Sequence, residues 1–469
     1  MKRVFDFNLF KSVYFLFCIL YVFPATMEIC VSLSKFFLIW GLLVLILDII
    51  RNILAKNNAY FNAQKRILLL FQILVLFSAV INVNNLSSHL ILIAYSIIQT
   101  FILSDERNKY SIHVFWIYVV FSLITSIGSL LIFFSNFKNT FTINGIIMPF
   151  GLYDGRLYGI FSNPNNTSLV AWISIVVSIY IFYFVLKTQK KGFLKLLLVI
   201  NIIINIIVLA LGNSRSILIM LLVFGFLVTQ IIMGKSKVLL RLGVSFCVLI
   251  GLYLGTSFSN NVMLMLQTHI LNESVIYKTD TEIHMSDTEQ YQNVQVSPSS
   301  TQNDQGENGN NVDISDNTDS LDRDNIGSYE RSGNERIAIY KTGIKTVISS
   351  LKILLFGVGN NNILSACRMI DPSVSELYAN MHNIYLQVLL GSGIFSLITF
   401  LALFIYLGAK VLNKRSSETY FWGSVCFAYL VSGLFDSNLL YFMNLLGTAS
   451  FWFFLGMLNN SLDNKSDND

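Results

Sequence analysis

The chain has 469 residues, 54% of them hydrophobic and 14% aromatic, with only 13% charged and a formal net charge of +5. That balance excludes an ordinary soluble enzyme or a nucleic-acid-binding protein and fits an all-α polytopic membrane protein. The five cysteines (Cys18, Cys30, Cys247, Cys367, Cys426) include no C-x-x-C pair, so neither a disulfide framework nor a metal site is expected.

Met1-Lys2-Arg3 before an apolar run imitates a signal peptide, but eleven more apolar runs follow, and a first spanning helix is expected instead. Stretches long enough to cross a bilayer occur at 10–26, 33–50, 66–83, 88–104, 113–135, 168–186, 192–211, 215–233, 237–256, 384–408, 419–435 and 438–458. Twelve spans put both termini on one side. With alternate loops assigned to each side, one side collects 20 basic residues. The short loops of the other carry only Lys35, Lys138, Arg156 and Arg215. The positive-inside bias then makes both termini cytoplasmic and the 257–383 loop extracytoplasmic. The expected organisation is an N-terminal bundle of about nine helices over 1–256, that large loop, C-terminal helices over 384–458 and a cytoplasmic tail at 459–469.

Three helix starts on the outer side carry cations or an imidazole. Gly155-Arg-Leu-Tyr-Gly-Ile-Phe-Ser-Asn-Pro-Asn165 leads into the sixth span, with Pro164 near its first helical position. Leu211-Gly-Asn-Ser-Arg-Ser216 is a tight hairpin before the eighth span. Ser214 suits a helix cap there, and Arg215 adds a planar donor fork to a helix N-terminus already suited to phosphate. A cation at that end is unfavourable unless an anion offsets it. His382-Asn-Ile-Tyr385 opens the tenth span, where the positive helix end disfavours an imidazolium and leaves a neutral base. Taken singly, each has a structural reading: Arg156 as a loop arginine, Arg215 as a snorkelling interfacial one, His382 as a cap.

Within the large loop, 273–330 is rich in Ser, Asn, Asp and Gln and reads as disordered; EF-hand spacing is absent. Order is expected to return at Ser332-Gly-Asn-Glu335, a capping-box pattern. An amphipathic helix over 332–352 follows, with Ile337, Tyr340, Ile344, Val347, Ile348 and Leu351 on one face and Lys341, Lys345 and Lys352 on another, suited to the outer membrane surface. Gly357-Val-Gly359 ends it. No P-loop, H-E-x-x-H or G-x-S-x-G is present. His89, His113, His269 and His284 lack ligand spacing, and the sequons at Asn165, Asn166 and Asn272 carry no weight alone.

The runs at 155–165, N-S-R-S at 213–216, E-R…G-V-G-N at 335–360 and H-N-I-Y-L-Q-V-L-L-G-S-G-I at 382–394, in this order around a long loop, resemble the bacterial O-antigen polymerase/ligase family. The resemblance covers roughly residues 150–410. It implies a GT-C type membrane glycosyltransferase that uses sugar chains linked to undecaprenyl diphosphate, with no cofactor and no metal. By position it implies that Arg215 and Arg336 hold the diphosphate, with Arg156 a looser match, and that His382 activates the acceptor. Ser214, Ser216, Lys341, Asn383 and Tyr385 would stand in supporting roles. Leu389-Leu390 replaces the Glu that often precedes the Gly pair there. A repeat-unit polymerase, aided by a flippase and a chain-length regulator, is the leading expectation. A ligase handing a finished glycan to another acceptor shares its fold and chemistry. A transporter or flippase would need ionisable groups or broken helices near the bilayer midplane, where the sequence offers only Asp48 and Asp436, each near a helix end.

Overall fold

The structure, a computed structural model, describes residues 5–463 apart from 58–59, 83–85, 144–145, 154–155, 162, 190, 234–237, 283–326, 373–379, 415 and 437–444. Helices α1 (Phe7–Tyr21), α2 (Pro24–Leu54), α3 (Ala63–Ile81), α4 (Leu86–Ile98, continued by a π turn to Leu103) and α5 (Ser111–Phe134) precede a small sheet. Then come α6 (Pro164–Tyr180, continued by a π turn to Val185), α7 (Gly192–Gly212), α8 (Arg215–Ile232) and α9 (Val238–Glu282). The remainder is α10 (Gly327–Ile348), α11 (Leu351–Phe356), α12 (Ile363–Ile370), α13 (Ile384–Lys414), α14 (Ser417–Ser432) and α15 (Leu445–Asp463).

Each expected span overlaps one of these helices, with 438–444 of the last lying outside the described residues; lipid offers the backbone no hydrogen bonds, which favours helices there. Among the described residues, eight helices are long and apolar enough to cross a membrane: α2, α3, α5, α6 with its π turn, α7, α8, α9 and α13. The chain is a multi-pass membrane protein. Short polar caps punctuate the helices. Asp6 accepts from the Leu9 amide (3.0 Å), Asn62 from Lys65 (2.9 Å) and Asn163 from Asn165 (2.8 Å), with Pro164 opening α6.

The all-α expectation needs one amendment. Strands β1 (Lys138–Ile143), β2 (Ile146–Tyr153) and β3 (Arg156–Gly159) form an antiparallel meander between α5 and α6. Ile143 pairs with Ile146 and Tyr153 with Arg156. The dipeptides between those partners are Asn144-Gly145 and Asp154-Gly155, the sequence signal for two-residue hairpins.

The large loop also departs from expectation. Helix α9 runs on to Glu282 and α10 starts at Gly327, so 273–282 and 327–330 are helical; the rest of the stretch expected to be disordered, 283–326, lies outside the described residues. Ser332–Glu335 is interior helix rather than a start, because Glu330 and Arg331 are good helix formers and let the helix begin a turn earlier. A break at Ser349–Ser350 then separates α10 from α11. Helix α10 packs against the rest of the chain through part of its surface. Ile339 and Val347 are buried, whereas Ile337, Ile344 and Ile348 are exposed beside the exposed Lys341 and Lys345.

Two apolar cores result. The larger is centred on the fully buried Trp172, Trp422 and Trp452; the smaller unites Ile339, Val347, Val358, Ile363, Cys367, Met381, Leu386 and Leu390. A polar seam crosses the first. Ser122 meets Ser174 (2.6 Å), Ser126 donates to Asn205 (2.9 Å), and Asn201 donates to Ser174 (2.7 Å) and Ser178 (2.8 Å), joining α5, α6 and α7.

Candidate active site

Helix α7 ends at Gly212 and α8 begins at Arg215, so the hairpin between them is Asn213-Ser214. Asn213 takes the left-handed conformation (φ 46°), which asparagine tolerates better than most residues. Ser214 occupies the N-cap with extended backbone but makes no side-chain capping bond, contrary to the role expected of it. The Ser214 side chain therefore gives the first turn of α8 no cap, and that turn carries an exposed Arg215 and a buried Ser216.

The sheet delivers Arg156 to this hairpin. Its Nε donates to the Gly212 carbonyl (3.2 Å) and its Nη2 to Asn165 Oδ1 (3.2 Å), tying the end of α7 to the first turn of α6. Arg156 thus braces the hairpin that carries Arg215.

The second half of the site is built around His382. Its φ of 48° is left-handed, a conformation that a non-glycine residue adopts only when its surroundings impose it. Three bonds do so here. The His382 amide donates to Asn380 Oδ1 (2.8 Å), Tyr340 OH donates to the His382 carbonyl (2.8 Å), and the Ile384 amide donates to Gly433 O (2.8 Å). Asn383, not His382, caps α13: its Oδ1 accepts from the Leu386 amide (3.0 Å) while its Nδ2 donates to Leu434 O (3.2 Å). Tyr385 OH donates to Leu430 O (2.8 Å) and anchors α13 to α14. The imidazole is thereby released from a capping role. Burial, and then the nearby Arg336 guanidinium, push its pKa down to about 4, so it is neutral at physiological pH.

Arg336 sits one turn before Tyr340 on α10, and the two share a face. Lys341 lies about 140° further round the helix and is exposed, away from this group. The two halves meet at one end of the bundle. Helix α6 starts beside the hairpin, where Gly212 packs against Pro164 and Ser168, and runs antiparallel to α14, with Trp172 near Tyr429 and Tyr180 OH donating to Glu418 (2.7 Å), so the Arg215 end of α8 and the Gly433 end of α14 lie at the same end of the bundle. Trp172 of α6 bridges them, 5.1 Å from Phe224 and 6.2 Å from Tyr429. A helix N-terminus with an arginine, a second arginine and a neutral imidazole thus share one end of the molecule.

Residues 200–401 match the family model described as O-antigen ligase. This segment is similar to the O-antigen ligase family. Members are membrane enzymes of glycosyltransferase type that act on lipid-linked oligosaccharide. The match takes in Arg215, Arg336 and His382, and Arg156 lies before it. None of the curated proteins matches the chain.

Within the O-antigen ligase segment, sequence reasoning missed Tyr340 as the residue that holds His382. It assigned Tyr340 to the apolar face, although the spacing from Arg336 (i, i+4) was the available signal. Asp436, buried four residues beyond the end of α14, also lies close enough to Tyr340 to act on it electrostatically.

Proposed function

We propose that the protein is a polymerase of oligosaccharide repeat units carried on a lipid (undecaprenyl) diphosphate. It would serve capsule, exopolysaccharide or O-antigen-like synthesis on the outer face of the cytoplasmic membrane, with twelve spans, both termini cytoplasmic and the 257–383 loop outside. The observation that carries this reading is the neutral imidazole of His382 beside Arg336, at the bundle end where the N-terminus of α8 presents Arg215. Such a site suits a reaction that releases a diphosphate and consumes a hydroxyl proton.

In this reading the hydroxyl of one glycan attacks the anomeric carbon of another. The new C–O bond forms as the anomeric carbon–phosphate oxygen bond breaks, and the lipid diphosphate leaves with the bonding electrons. His382 accepts the hydroxyl proton, and Arg215, Arg336 and the α8 amides offset the charge on the leaving group. A single displacement inverts the anomeric centre, and the arginines supply the positive charge that such a leaving group requires without a metal. Arg156 keeps the hairpin in place. A flippase to supply the carrier and a chain-length regulator are the natural protein partners.

The family description favours a second reading, a ligase that transfers a finished glycan to a different acceptor. Transport has one feature in its favour, a break in α13 at Gly393 (φ 81°). The freed backbone there is already engaged, however: Val358 and Gly359 amides donate to the Leu390 (2.8 Å) and Gly391 (3.0 Å) carbonyls. These bonds make the break a docking point for the G-V-G segment, which is a poor basis for an ion site.

The test is reconstitution in liposomes with a repeat unit on lipid diphosphate, products being resolved on a gel. A ladder that disappears in Arg215→Ala supports polymerisation and the diphosphate role. A single transfer to an added acceptor glycan, with no ladder, supports the ligase. Silence from folded protein in both formats rejects the transferase reading.

A further inference from the structure

Helix α3 gives a depth scale for the segment that follows α10. Its 19 residues, Ala63–Ile81, rise about 28 Å, close to the roughly 30 Å of a bilayer's hydrocarbon, so its cap at Asn82 marks one edge of the membrane. The G-V-G turn is fastened at that level. Asn82 Nδ2 donates to the Gly357 carbonyl (3.1 Å), Asn362 Nδ2 donates to the Asn82 carbonyl (3.2 Å), and the Phe356 ring meets that of Phe77 (5.5 Å), one turn inside the end of α3. Further from the membrane, Tyr340 reaches the His382 carbonyl and Gly343 lies against Leu386 and Leu390. The sequence pattern lays the whole amphipathic helix along the surface, whereas the structure runs α10 down beside the first turns of α13. Only its C-terminal end and α11 come down to the membrane edge.

That end is bare on the flank that does not touch α13. Ile348 is 72% exposed and Leu351 70%, and Ile344, Lys345 and Lys352 are exposed with them. Every exposed residue from 344 to 352 is aliphatic or lysine except Ser349, whose hydroxyl already donates to the Thr346 carbonyl (2.8 Å). From Ile337 to Phe356 the chain holds three lysines and no Asp or Glu. Large aliphatic side chains at the level of Asn82 are costly in water and favourable in hydrocarbon. Lysines beside them can bury their stems among lipid and keep the ammonium at the headgroups. Lysine donates but cannot accept, so this stretch suits an anion rather than the hydroxyls of a neutral glycan.

We propose that the C-terminal end of α10, with α11, is a lipid contact that selects anionic phospholipids. Ile348 and Leu351 enter the hydrocarbon, and Lys345 and Lys352 hold phosphate headgroups at its edge. The membrane topology in the proposed function makes this the outer leaflet; the contact itself does not depend on the reaction. Because α10 also carries Arg336 and Tyr340, the contact would fix the height of the helix that braces His382.

An environment-sensitive fluorescent amino acid in place of Ile348, in the full chain reconstituted in liposomes, tests it. The control position is Ile337, exposed about three turns nearer the start of α10. The quencher is a nitroxide near the top of the acyl chain, carried by either phosphatidylglycerol or phosphatidylcholine. The expected result is several-fold stronger quenching at 348 than at 337, and stronger quenching at 348 by phosphatidylglycerol than by phosphatidylcholine at equal content. The double variant Lys345→Gln/Lys352→Gln, both positions being exposed, should lose that preference without a change in melting temperature. Equal quenching at the two positions overturns the contact. Equal quenching by the two lipids, or a preference that survives the double variant, overturns the headgroup assignment. Shielding of 348 by an added acidic glycan, with no response to lipid, overturns the contact in favour of a glycan surface. The two proposals fail separately: glycan transfer by a protein without this contact keeps the transferase alone, and contact without transfer to any acceptor keeps the lipid surface alone.

Discussion

At the scale of single residues, the proposed chemistry turns on a proton acceptor that stays neutral. The proposal gives His382 the part of base: Asn383 caps α13 in its place, and burial and Arg336 both disfavour the imidazolium. Protonation removes a base, so activity falls as pH drops through the pKa of the free enzyme. For His382 the acid limb of kcat/KM is expected near pH 4, with a plateau from there through neutrality, rather than near the ordinary value of 6.5. Arg336→Gln deletes one of the two depressing influences, and its acid limb should move to higher pH. A limb that stays in place in Arg336→Gln would show that the guanidinium does not act on the base. His382→Ala is expected to lower kcat by about 10²–10⁴-fold, the usual worth of general base catalysis, with the protein still folded.

At the scale of elements, the geometry of that base depends on a hydroxyl one turn from Arg336. Tyr340→Phe removes the bond to the His382 carbonyl and leaves the ring in place. A net hydrogen bond of about 1 kcal/mol predicts a roughly five-fold fall in kcat with little change in KM, since the left-handed turn loosens while the arginines remain. A fall in affinity for the donor with unchanged kcat would argue against a positioning role. The break in α13 is a second device at this scale. A Cβ on Gly393 would overlap the Leu355 carbonyl, and the backbone there is left-handed. Gly393→Ala should therefore dislodge the G-V-G segment and lower the melting temperature in detergent by several degrees; an unchanged Tm would mean that this packing is loose. Neither feature was fully legible beforehand. Tyr340 could have been placed with Arg336 by helical spacing, but its ring also fitted the apolar pattern. The Gly393 break depends on contact between residues 355–359 and 390–393, and no local pattern announces it. The sheet was legible in principle, in Asn144-Gly145 and Asp154-Gly155, and was hidden by reading the segment only for hydropathy.

At the scale of the whole molecule, the spans were readable because lipid leaves the backbone no partner but itself, so apolar runs and helices coincide. What joins the spans at the end opposite the site was not readable, because its parts are scattered over a hundred residues. Lys65 pairs with Asp105 (3.0 Å), and Arg107 binds Asp48 with both terminal nitrogens (2.7 and 2.8 Å) and Asp105 through Nε (2.6 Å). Lys11 Nζ donates to the Asp105 carbonyl (2.6 Å), and Asn108 Nδ2 donates to Gly456 O (3.0 Å), which ties the cluster to α15. Burial alone would raise the Asp105 carboxyl, but the bonds from Arg107 and the charge of Lys65 outweigh it and hold the group at about 2. Asp48, weighed in the sequence as a transport group, is thereby an ion-pair partner in a clamp between α1, α2, α3 and the loop after α4. Asp105→Asn keeps the shape and removes the charge, leaving Lys65 without its carboxylate and Arg107 with one of its two. Losing one member of a buried pair costs about 3–5 kcal/mol, so this variant should show a marked drop in thermal stability in detergent. The protein that remains folded should keep its KM for the lipid-linked donor, because the cluster and His382 lie at opposite ends of helices spanning roughly 30 Å. A variant of normal stability that fails in turnover would reverse that division, making the clamp part of the working cycle and restoring transport as the class to examine.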